Sequence, residues 1–69
     1  MRITLNGDPH NLEGVAGPLT VSGLLARLEI DPRRVAVEHN LVVVKRARFD
    51  DTEVREVDAV EIVNFVGGG

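Results

Sequence analysis

Few side chains in these 69 residues are of types that do chemistry, and none stands at a spacing that assembles a site with a neighbour. Ser22 is the single serine and has no base within sequence reach to activate it, so it reads as a helix-surface residue. His10 and His39 lie far apart, without the spaced partners of a metal site or a general base. Asp50, Asp51 and Glu53 form an acidic run that reads as a solvated loop. The glycines at 67, 68 and 69 are not a phosphate loop, because such a loop needs a lysine and a hydroxyl residue beyond it and a helix to follow.

The remaining candidate is the α-carboxylate of Gly69. At neutral pH it is ionised, with a reference pKa of about 3.3 to 3.7, and an ionised carboxylate is a poor electrophile. It reacts only after another protein activates it, for instance as a mixed anhydride with AMP that a sulfur or nitrogen nucleophile then opens. Glycine suits that use: it lets the backbone pass a narrow channel and leaves no side chain beside the attacked carbonyl. Four extended residues, Val66 to Gly69, reach roughly 13 to 14 Å. Two readings of this end stand at the level of residues alone, a working arm or a frayed terminus.

The elements that must hold such an arm follow from periodicity. Residues 2 to 6 alternate, with Ile3 and Leu5 on one face, as a half-buried strand does. Gly7-Asp8-Pro9 is expected to turn the chain into a weaker strand over 10 to 15. Val21, Leu24, Leu25 and Leu28 recur at helical spacing behind Thr20, an N-cap residue, with Leu19 placed as a hydrophobic staple. Pro32 places the end of that helix near Glu29 or Ile30. Gly23 inside it either marks a close approach to the sheet or has no packing meaning.

Val35 to His39 reads as a third strand, Asn40-Leu41 as a bend, and Leu41 to Val44 as a short β-branched run. Residues 46 to 56 read as an irregular connection pinned by Phe49 and Val54, with room for one helical turn. The last strand, 58 to 66, puts Val60, Ile62, Asn64 and Val66 on one side and Ala59, Glu61, Val63 and Phe65 on the other. Both sides are partly apolar, which predicts a central strand. Val63 and Phe65 have two placements open to them: an exposed apolar spot beside the tail, or cover beneath the 46–56 connection. Strands around a single helix predict an α+β domain with one sheet face covered.

Composition narrows the function classes. A chain of this length supports one core; we expect a domain over 1–66 and a glycine tail over 67–69. Eight basic against eleven acidic residues give a net charge of −3, and the two phenylalanines are the whole aromatic content. Nucleic acid is therefore not an expected partner, since phosphate binding needs clustered cations and strand binding needs stacking platforms. No apolar run approaches the length that spans a bilayer, and no signal-peptide core is visible, so a membrane is not expected either. With no cysteine, a cytoplasmic location is the expectation.

Taken in order, "MRITLNGDPH", "LTVSGLLARLEI", "VAVEHN", "VVVKRARF" and "VEIVNFVGGG" resemble the ThiS-type sulfur carriers of thiamin biosynthesis, relatives of the molybdopterin-synthase small subunit. The resemblance covers essentially the whole chain. It implies a ubiquitin-like β-grasp fold with a mixed sheet of four to five strands on one main helix. It also implies that Gly69, after Gly68, is adenylated by a ubiquitin-activating-like adenylyltransferase using ATP and magnesium, with no cofactor bound by the carrier. A sulfur-donor system then converts it to a thiocarboxylate whose sulfur goes to thiazole synthase.

On that reading the chain is a cosubstrate and not an enzyme, a monomer on its own. Gly67 and Gly68 enter the partner's active site, and Val63, Phe65 and Val66 form the partner-binding surface. Other readings are a carrier for molybdopterin or another product, a ubiquitin-like modifier, and a non-covalent β-grasp module. Two positions depart from the resemblance: Asn40-Leu41 and Val57-Asp58 stand where such proteins commonly carry Asn-Gly and Gly-Asp. Each puts a side chain where glycine would ease a turn.

Overall fold

The computed structural model describes residues 1 to 65. Strands Arg2–Leu5 (β1) and Asp8–Asn11 (β2) form an antiparallel hairpin closed by Asn6 and Gly7, whose φ values are 50° and 86°. Two successive left-handed residues give the two-residue turn whose twist matches the strands, and Asn-Gly is its favoured sequence. The turn thus falls earlier than the expected Gly7-Asp8-Pro9, and β2 runs over 8–11 instead of 10–15. Pro9 is tolerated inside β2 because β2 is an edge strand of the sheet. Beyond it the chain turns, with the Val15 N–H donating to the Leu12 carbonyl at 3.3 Å.

Leu19–Thr20 (β3) pairs with Glu53–Val54 (β6) in a two-residue antiparallel ladder. Helix α1, Val21–Arg27, starts directly from β3, and the Thr20 hydroxyl accepts the Gly23 N–H at 3.0 Å. Gly23 makes room for the staple: a Cβ there would lie 2.8 Å from Leu19 Cδ1. The close approach is therefore to Leu19 in the small ladder and not to the main sheet. The helix ends two to three residues before the expected stop. Ile30 N–H donates to the Leu25 carbonyl and Glu29 N–H to the Ala26 carbonyl, with Glu29 at φ 59°, which is the Schellman closure.

A 3-10 turn over Pro32–Arg34 leads into Val35–His39 (β4), which is joined to Val42–Val44 (β5) by Asn40 and Leu41. The 46–56 connection holds a 3-10 turn at Arg46–Arg48 and then β6. Ala59–Asn64 (β7) closes the fold. The main sheet has the order β2-β1-β7-β4-β5, with β7 parallel to β1 and antiparallel to β4. The expected central strand is thus β7.

Helix α1 covers one sheet face. Its Val21, Leu24 and Leu25 meet Ile3, Val35, Val37 and Val60 from the sheet, with Leu12, Phe49 and Val54 closing the sides. These ten side chains are the buried hydrophobic core of the described residues. Phe49 and Val54 pin the irregular connection as expected, since both are buried.

Candidate functional site

The strand that leads to the tail is held from both sides. β7 pairs with β1 through Ala59 and Val60, and with β4 from His39↔Val60 to Val35↔Asn64. One residue further, the Phe65 N–H donates to the Arg34 carbonyl at 2.8 Å, so the ladder continues to Phe65. Asn6 adds a brace from the first turn: its carboxamide accepts the Ile62 N–H at 2.7 Å and donates to the Ile62 carbonyl at 3.2 Å. Whatever follows Phe65 therefore starts from a fixed point in the middle of the sheet.

Of the residues expected to meet a partner, Val63 is 60% and Phe65 51% exposed. They are not covered by the 46–56 connection. Both belong to the sheet face opposite α1, since Val60 on the other set is buried against the helix. Val66, Gly67, Gly68 and Gly69 lie outside the described residues.

Ser22 and His39, set aside in the sequence, have structural partners. The Ser22 hydroxyl donates to Asp50. His39 Nε2 donates to Asp58 Oδ2 at 2.7 Å, and the same oxygen accepts the Arg55 N–H at 2.8 Å, which ties the end of β4 to the start of β7. Burial pulls the Asp58 carboxyl up, but hydrogen bonds from His39, the Arg55 backbone and Asn40, with the His39 charge, outweigh it and hold the group below its ordinary value. His10 is half-buried in β2. Among the described residues no three His, Cys, Asp or Glu side chains converge as a metal site, and no helix is long and apolar enough to cross a membrane.

Sequence reasoning missed Arg34. It lies in the turn before β4, thirty-one positions from Phe65 by number, and only strand pairing brings the two together. Arg33 beside it is neutralised: its guanidinium holds Asp31 at 3.0 and 3.1 Å. The hydrogen bonds and charge from Arg33 lower the Asp31 carboxyl to about 2. Arg34 is left with a loose 3.9 Å approach to the same carboxylate and an 81% exposed side chain.

A mixed five-stranded sheet with one covering helix, a parallel β1–β7 centre and flanking hairpins is the ubiquitin-like β-grasp fold. The model of the ThiS family matches residues 3–69, and the chain belongs to that family of sulfur carriers. It is 38% identical over 67 residues to the sulfur carrier protein ThiS of Bacillus subtilis, covering 97% of this chain and 98% of that one. The crystal structure of a thiamine biosynthesis protein (ThiS) from Geobacter metallireducens superposes with a TM-score of 0.86 at 43% identity, covering both chains fully. A thiazole synthase of Magnetococcus marinus is 48% identical over all 69 residues, of which the chain spans 20% of that protein's length.

Proposed function

We propose that this chain carries sulfur as a thiocarboxylate on Gly69 for thiazole formation in thiamin biosynthesis. The observation that carries the reading is the position of β7, a central strand fixed on both edges that ends beside an exposed apolar spot directly before the glycine tail in sequence. Membership of the ThiS family supports the carrier role, and the regions matching this whole chain in two thiazole synthases, at 48% and 39% identity, support the thiazole product over molybdopterin.

The chemistry runs in two steps, neither of which draws on a catalytic side chain of this protein. A ubiquitin-activating-like adenylyltransferase joins the Gly69 carboxylate oxygen to the α-phosphorus of magnesium-bound ATP, and pyrophosphate leaves. A sulfur nucleophile at the oxidation level of sulfide, from the sulfur-donor system, then attacks the acyl carbon; the C–S bond forms as the C–O bond to AMP breaks. The domain supplies recognition and reach, acting as a cytoplasmic cosubstrate.

Incubation with the adenylyltransferase, ATP, magnesium and a sulfur source tests this by intact mass. The expected product is heavier by the exchange of one oxygen for sulfur, located on the peptide containing Gly69. An unchanged mass rejects the reading.

A further inference from the structure

Activating a carboxylate exposes it to every amine in reach, since an amine opens an acyl adenylate to a stable amide and AMP. Of the eight basic residues seven are arginine, whose guanidinium keeps its proton in proteins and is no nucleophile, and one is lysine, Lys45. The acyl carbon of Gly69 therefore faces two amines of its own chain, the Lys45 side chain and the Met1 α-amino group.

Strand pairing sets these two at very different distances from the tail. Lys45 follows Val44, the partner of Val37, so the next rung places it opposite Ala36, which pairs with Val63. Two strand spacings across and two residues of rise along β7 separate Lys45 from Phe65 by about 12 Å between Cα atoms. Residues 66 to 69 can span roughly 13 to 14 Å, and the four-carbon lysine stem adds to that reach. Lys45 is exposed, and no carboxylate of the described residues lies within salt-bridge distance of its amine. Met1 differs on both counts. Thr4 is level with Ala59 and Met1 lies three residues further back, which puts it about 30 Å from Phe65. Its ammonium also donates to the Leu12 and Val15 carbonyls at 3.0 and 2.9 Å.

We propose that Lys45 is an acylation site at which the adenylated Gly69, once it leaves the enzyme, closes an isopeptide ring within its own chain. This rests on the carrier reading above. The Lys45 ammonium gives a proton to water and its nitrogen attacks the acyl carbon; the C–N bond forms, the C–O bond to AMP breaks, AMP leaves, and a second proton goes to water. Glycine lets a backbone turn back along the sheet. A short tether presents its two ends to each other at an effective concentration on the order of millimolar, so Lys45 competes with the sulfur nucleophile for the same carbon. An abundant sulfur source yields the thiocarboxylate; a scarce one yields the closed ring, which has no carboxylate left to activate.

The test incubates the full chain with a purified thiamin-pathway adenylyltransferase, ATP and magnesium but no sulfur source, and reads ATP–pyrophosphate exchange, intact mass and the joined peptides. The expected product is a monomer lighter by one water, with Lys45 linked to Gly69. Once added sulfide dominates the competition, each further tenfold rise in it should lower the share of ring about tenfold. Lys45→Arg keeps the charge and removes the nucleophile, so it should exchange as the parent chain does and lose no water. The double change Lys45→Arg with Arg2→Lys returns one amine to the chain at the far end of β1, two residues before the Thr4–Ala59 rung, and should not close a ring either. Exchange with the parent chain but no loss of water overturns the ring alone. So does a water loss that persists in Lys45→Arg, ring closure in the double variant, or an isopeptide that joins two copies. No exchange with the parent chain overturns the carrier reading and the ring with it.

Discussion

Leu41 and Val57 hold backbone conformations that favour glycine, at φ 71° and 63°. Leu41 follows Asn40 at φ 50°, and together they make the two-residue turn between His39 and Val42 that favours Asn-Gly. Val57 is the third residue of a turn closed by the Asp58 N–H on the Arg55 carbonyl at 3.1 Å. A left-handed residue with a Cβ costs roughly 1 to 2 kcal/mol, of which glycine gives back about 0.5 to 1 in chain entropy. Both side chains are mostly exposed, 84% and 77%, so little packing is lost on removing them. Leu41→Gly and Val57→Gly should each stabilise the domain by about 0.5 to 1 kcal/mol, seen in urea as a higher midpoint at unchanged slope. A lower midpoint in either would show that the side chain contributes packing there.

Asp58 makes the matching prediction for pH. Its carboxyl is held below the ordinary value in the folded chain, so its contribution is fully present above the unfolded value of about 3.9 and is lost as pH falls through the folded one. The stability difference between the parent chain and Asp58→Asn should shrink below about pH 4. A difference that persists undiminished in acid would rule out the carboxylate as its source.

At the scale of elements, legibility followed the strength of the local signal. Helix α1 was readable because four apolar residues and the Thr20 cap agree on one face and one start, and β7 because both its sides are partly apolar. The helix end was not, because Pro32 marks only where a helix cannot continue, whereas the Schellman bonds at Glu29 and Ile30 stop it sooner. The β3–β6 ladder was invisible, since two-residue strands have no period to detect. At the site, exposure at Val63 and Phe65 was one of two legible placements, while Arg34 was illegible because only long-range pairing sets it beside Phe65. The readable cap gives its own prediction: Thr20→Ala removes the acceptor for the Gly23 N–H and should cost about 1 kcal/mol, or roughly 4 to 8 °C in a domain of this size. An unchanged melting temperature would mean that water replaces the hydroxyl at no cost.

For the whole molecule, stability and function should be separable along the chain. The ten core side chains lie between Ile3 and Val60, whereas the proposed sulfur chemistry is confined to Gly69. Domains are stabilised by about 0.05 to 0.15 kcal/mol per residue, which for this length gives about 3 to 10 kcal/mol in all. Leu24, fully buried between helix and sheet, should lose about 2 to 5 kcal/mol on truncation to alanine, a large part of that total. Leu24→Ala should therefore populate the unfolded chain near physiological temperature, while its folded fraction is still adenylated. Deleting Gly68 and Gly69 should do the reverse, leaving the melting temperature with that of the parent chain and abolishing adenylation. Circular dichroism and pyrophosphate exchange on both variants decide the matter. A deletion that melts lower would give the tail a share in the fold, and a deletion that still exchanges would remove Gly69 from the chemistry.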